Sequence, residues 1–142
     1  MEKISFDTGV RRYRIGGGVL QLNPTDPNLF ARFEQVSKEL EAVEKEMEQR
    51  LQQTPEDASV LALLTEADER MKQLLNRLFG PENDFDQILG GVNLLAVASN
   101  GQRVVTNLFA ALEPVLSEGA RQCAQLAGDE AVAKARQRRE NR

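Results

Sequence analysis

Residues 27–53, PNLFARFEQVSKELEAVEKEMEQRLQQ, followed after Thr54 by residues 55–79, PEDASVLALLTEADERMKQLLNRLF, decide how this chain folds. In the first stretch Leu29, Phe33, Val36, Leu40, Val43 and Met47 recur at alternating steps of four and three. In the second, Val60, Leu64, Ala67, Met71, Leu74 and Leu78 repeat the rhythm. That alternation holds apolar side chains on one stripe of an α-helix, close to the seam of a coiled coil. Asp26 is a good N-cap and Pro27 fits the first helical position, where its missing N–H costs nothing. Thr54-Pro55-Glu56-Asp57 repeats the start signal, and Phe79-Gly80-Pro81 is a strong stop. Joined so closely, the two helices must be antiparallel neighbours. Their outer faces are expected to carry Glu34–Lys38, Glu41–Lys45, Glu46–Arg50, Glu66–Arg70 and Asp68–Lys72, each acid four residues before its base.

The chain before this hairpin is different in kind. Val10, Tyr13 and Ile15 lead into Gly16-Gly17-Gly18, and Val19, Leu20 and Leu22 follow. Such residues around a glycine turn predict a β-hairpin over about residues 11–22, with residues 3–7 as a candidate further strand. After it, Phe85, Ile88 and Leu89 suggest a short helical turn, ended by Gly90-Gly91, and Leu94, Leu95 and Val97 suggest another. A last helix carries Val105, Leu108, Phe109, Leu112, Val115, Leu116 and Cys123 on one face, and Pro114 is expected to kink or split it. Beyond Gly128 no large run of apolar residues remains to pack, so the end is expected to fray. The fold class is therefore mainly α with a small N-terminal β-hairpin (α+β). One domain spans residues 1–142: a hairpin region to 22, a helical hairpin over 27–79, an irregular segment and last helix over 81–127, and a basic tail over 128–142.

Composition narrows the chemistry. The 142 residues carry a formal charge of −4, with no His, one Cys and no Trp. Residues 1–22 and 129–142 each carry a net +2, which leaves −8 between them. An acidic middle repels nucleic acid and favours solubility, while basic ends suit acidic patches on this or another copy. With no imidazole and a single thiol, a zinc site and a Cys-based nucleophile both lack their usual parts. Cys123 falls on an apolar stripe and reads as core. Gly16-Gly17-Gly18 lacks the Gly-Lys-Ser/Thr of a phosphate loop and reads as a turn. Glu82, Asp84 and Asp86 look like the start of a calcium loop, but Ile88 and Leu89 occupy the stretch where its ligands belong. Arg136, Arg138 and Arg139 could touch nucleic acid, yet no aromatic follows Phe109 to stack on a base. No apolar run reaches the 18–20 or so residues of a membrane span, and no secretory signal is visible. The expectation is a non-enzymatic cytoplasmic protein with no cofactor and no metal, and with neither nucleic acid nor membrane as partner.

The two seams have two readings, a monomer's own core and a surface for other helices. Length favours the second, because a first helix of about 26 residues spans roughly 39 Å, more than a compact domain of this size needs. The candidate interaction residues are Leu29, Phe33, Val36, Leu40, Val43, Met47 and Leu51. Self-association, as a homo-oligomer, is expected.

The order of parts resembles a family. Asn23-Pro24 and Asp26-Pro27-Asn28-Leu29-Phe30 open the long acidic helix. Leu78-Phe79-Gly80-Pro81-Glu82-Asn83-Asp84-Phe85 closes the second, with Gly90-Gly91 behind it. Leu108-Phe109 and Glu113-Pro114-Val115-Leu116 mark the last. Over about residues 4–127 this pattern resembles small tail proteins of phages and prophages of Gram-positive bacteria, of the tail assembly chaperone type. The resemblance implies a non-enzymatic role in the host cell cytoplasm, covering helical stretches of a tape-measure protein while the tail is built. It carries no catalytic or binding residue with it. The competing expectation is a structural virion or self-assembling phage protein, in which the seams make permanent contacts.

Overall fold

The computed structural model of the chain describes residues 1–54 and 56–141. Its elements are strands β1 (Arg11–Ile15) and β2 (Gly18–Leu22) and helices α1 (Pro27–Gln52), α2 (Asp57–Phe79), α3 (Phe85–Ile88) and α4 (Val104–Glu140). The molecule is mainly helical with one small antiparallel hairpin, as the periodicities predict.

The hairpin pairs Arg11 with Leu22 and Ile15 with Gly18 across a Gly16-Gly17 turn. Its inner face carries Leu20 and Leu22, both buried in the core, with Tyr13 packed against it. A two-stranded sheet has two free edges, and here the second is closed by a side chain. Asn83 Oδ1 accepts from Gln21 N–H at 2.8 Å, and Asn83 Nδ2 donates to the Gln21 carbonyl at 2.8 Å. The same amide donates to the Phe79 carbonyl, so one buried asparagine ties β2 to the end of α2. Gly18 is required there, because a β-carbon would press on the Ile88 backbone. Residues 3–7 form no strand; residues 1–10 are irregular, with Ile4 and Phe6 exposed. Only the root of this arm is held, by Asn23 Nδ2 donating to the Thr8 carbonyl at 2.9 Å.

Asp26 caps α1, accepting from Asn28 N–H at 2.9 Å, with Pro27 in the first turn. The second start signal does not act as expected. Thr54 Oγ1 donates back to the Arg50 carbonyl and closes α1, whereas α2 begins at Asp57 behind Glu56, whose side chain makes no cap bond. The expectation for Pro55 falls outside the described residues.

Helices α1 and α2 run antiparallel. Three charged residues of α1 pair across to α2 rather than along their own helix: Glu46 with Arg70 at 2.7 Å, Arg50 with Glu66 at 3.1 Å, and Glu39 with Arg77. A neighbouring helix offers bases without bending a side chain along its own axis. The hydrogen bond and charge of Arg70 hold the Glu46 carboxyl below its ordinary range.

The buried stripe of α2 is broader than its seam. Leu63, Ala67, Met71, Leu75, Leu78 and Phe79 are buried, whereas Leu64 and Leu74 pack at the margin. The widening has a cause: a second layer, made of β2, α3 and the 93–95 turn, sits on the flank of α2 away from α1. Lys72 and Asp68 therefore lie inside, not on the outer face. Lys72 Nζ stands 3.0 Å from Asp68 and 2.6 Å from Asp86, and Asp68 Oδ1 accepts from Leu94 N–H at 2.7 Å. Burial pulls the Lys72 ammonium down, but hydrogen bonds to Asp86 and Asp68 outweigh it, so its pKa is raised.

Residues 94–97 are turns rather than helix, pinned by Val105 N–H to the Leu94 carbonyl and Arg103 to the Leu95 carbonyl. From Val104 onward α4 runs unbroken for 37 residues, through Pro114 and past Gly128. Pro114 and Ala110 are both exposed, so the carbonyl that proline leaves unbonded faces solvent, where it costs least.

Candidate interaction surface

Four of the seven residues on the α1 seam, Leu29, Val36, Leu40 and Val43, are buried in the chain's own core. Phe33 and Met47 are half-buried against that core, and Leu51 is half-buried at the α1 C-terminus. The structure thus brings the first six onto one stripe, and α2 covers most of it. What remains open lies elsewhere, where α1 meets α4.

Helix α4 packs antiparallel to α1. Phe33 meets Phe109 edge-on, ring centroids 6.5 Å apart, and Gly119 lies against the loop that leads into α1. That second contact depends on glycine. A β-carbon at position 119 would overlap the Pro24 carbonyl oxygen, and Pro24 is wholly buried. Side chains prop the two helices apart on one side of this line and leave an apolar groove of about 300 Å³. Phe30, Phe33, Phe109, Leu116 and Ala120 line it, and Glu113 is its one charged lining residue. Phe33 and Phe109 were both read from the sequence as stripe residues. The groove between them was not, because it depends on how far apart two helices stand.

Beyond Gly119 the last helix leaves the molecule. Residues 121–141 are exposed throughout, apart from the half-buried Cys123. About 20 residues of α-helix, roughly 30 Å long, stand clear of the body. The expected frayed tail is helix to Glu140, and the expected core thiol of Cys123 sits at the edge, outside the buried cluster. The groove-lining positions Phe109, Glu113, Leu116 and Ala120 continue down α4 at steps of three and four. Cys123, Ala127, Ala131 and Lys134 extend the line. The line that begins in the groove therefore runs on along the free half as small side chains ending in Lys134, while the larger exposed Leu126 and Val132 lie off it.

Charge follows the same division. Lys134, Arg136, Arg138 and Arg139 lie near the far end of α4, while Glu34, Glu41, Glu44 and Glu48 are exposed on α1. Arg12 and Arg14 are exposed on β1, the strand whose outer edge no Asn83 closes. Among the described residues no cluster of three or more His, Cys, Asp or Glu could hold a metal ion. Among the described residues no helix is long and apolar enough to cross a membrane. Comparison with family models, with curated proteins and with solved structures gives no match.

Proposed function

We propose that this chain is a non-enzymatic assembly protein that binds helices. Its activity would be that of a tail assembly chaperone, self-associated in the host cell cytoplasm and covering helical stretches of a tape-measure protein. The observation that carries this reading is the apolar face of α4, which opens from the Phe30–Phe109 groove and continues as small side chains along an unpacked helix. Apolar helical surface left in water is a binding surface in waiting, because covering it is favourable by about 25 cal/mol per Å². A groove lined by phenylalanine and leucine takes the apolar face of an amphipathic helix. The acidic exterior of α1 keeps such a complex soluble.

The same features support a second reading, a structural subunit whose helical contacts are permanent. Permanence separates them. Co-expression with the tape-measure protein of the same genome is expected to raise the soluble fraction of that client several-fold, and finished tails are expected to lack this chain. Recovery of the chain in stoichiometric amount from purified particles would establish the structural reading. A client equally insoluble with and without the chain would remove the chaperone one.

A further inference from the structure

We infer that the outer half of α4 belongs in the groove of a second copy, so that two chains exchange these helices reciprocally in an antiparallel pair. This rests on the self-association proposed above and specifies the surface that makes it; a client helix takes the groove by displacing the partner's helix.

The unsupported length is the first argument. A helix held only by its own hydrogen bonds is marginal in water when short, and Gly128, a poorer helix former than alanine, lies inside this one. Residues 124–140 are exposed throughout, so little burial offsets that cost. An exposed helix of this length gains stability from whatever packs on it.

Geometry then says what. The groove lies on α4 itself, at the base of the free half and on the same line of the helix. A two-fold axis beside residue 123 lays the free half of each copy along the groove of the other, and both grooves are filled at once. The contact closes as a dimer, since each surface is used twice. A neighbouring client helix would not fill both halves of the line by one operation.

Charge sets the register. Glu113, the groove's one charged lining residue, meets Lys134, the lysine on the free line, when the axis falls between Cys123 and Ala124. In that register Leu116 faces Ala131, Ala120 faces Ala127, and the two Cys123 side chains come near each other at the axis. Small residues then oppose the bulky groove wall. Arg138, four residues beyond Lys134 on the same line, arrives beside Phe109, where a guanidinium over an aromatic face is favourable. A parallel pair would instead set Glu113 on Glu113 and Lys134 on Lys134.

The test uses the full chain, whose single native cysteine is the reporter. Mild oxidation with diamide is expected to give a Cys123–Cys123 disulfide dimer, and reduction to return the single chain. Ala127→Glu, on an exposed part of the helix where folding is not at stake, is expected to weaken dimerisation at least tenfold. Lys134→Glu is expected to weaken it several-fold, and adding Glu113→Lys to restore it. That rescue distinguishes the antiparallel register from the parallel one, in which the double exchange restores nothing. An oligomer that neither cross-links through Cys123 nor responds to Ala127→Glu overturns this interface and leaves self-association standing by another surface. A single chain at every concentration overturns both.

Discussion

Helices α1 and α4 carry apolar residues in the same rhythm of threes and fours, yet one is covered along most of its length and the other is covered only halfway. On α1 the stripe from Leu29 to Val43 is covered by α2 and, around Phe33, by α4. On α4 the stripe from Val105 to Leu116 is buried, Ala120 and Cys123 are half-buried, and beyond them the helix is exposed. The difference lies in the neighbours. A short connection returns α2 along α1, whereas no element of the described chain follows α4 back. Periodicity reports that a helix has an apolar face; the connections decide whether the same chain supplies its cover.

If that contrast holds, substitutions in the two regions must differ sharply. Leu75, wholly buried between α1 and the second layer, marks the covered region. Leu75→Asp is expected to cost more than about 4 kcal/mol, enough to unfold the chain, because it buries an unpaired charge. Urea unfolding followed by circular dichroism measures it, and a normal midpoint would mean that α2 is not packed as described.

Next in size is the buried lysine. Lys72→Met is expected to cost roughly 3 kcal/mol, since it strands Asp68 in the interior, with the open side of Asp86 limiting the loss. The same group predicts a pH effect. Its folded pKa is raised, so its contribution is complete below the unfolded value near 10.5 and is lost as pH rises through the folded value. The melting temperature of the native chain should therefore fall more steeply above pH 10.5 than that of Lys72→Met. Parallel curves would show that the ammonium contributes nothing.

Gly119→Ala tests the point where the covered region ends. A methyl group against the Pro24 carbonyl should force α4 off the loop, at about 1–3 kcal/mol, the usual cost of overpacking. The smallest effect is expected in the free half. Val132→Ser, on the opposite side of α4 from Ala127 and Lys134, should change stability by less than about 0.5 kcal/mol.

Much of this architecture was legible in the residues themselves. Asp26-Pro27 and Phe79-Gly80-Pro81 mark where α1 begins and α2 ends, and the glycine turn between Ile15 and Val19 places the hairpin. What could not be read concerns third partners. Asp68 and Lys72, four apart, look like any solvent pair on a helix surface; only the arrival of Asp86 and the Leu94 amide makes them interior. Thr54 has the composition of a cap, but its hydroxyl had a nearer carbonyl behind it. Pro114 looks like a break because sequence alone does not say that its turn of helix faces solvent. The α4 groove is of the same kind. Phe33 and Phe109 are legible as apolar, but the space between them is a property of two helices and a glycine.

The central claim is that the outer half of α4 is covered in the working protein, by a second copy of the chain. Amide hydrogen exchange along residues 121–140, followed over a range of protein concentrations, tests it most directly. At tens of micromolar these amides are expected to be protected nearly as well as those of residues 105–118, and to lose that protection on dilution as the mass falls from twice 15.8 kDa to one chain. Fast exchange of residues 121–140 at every concentration would contradict the account and leave α4 a bare helix with no partner.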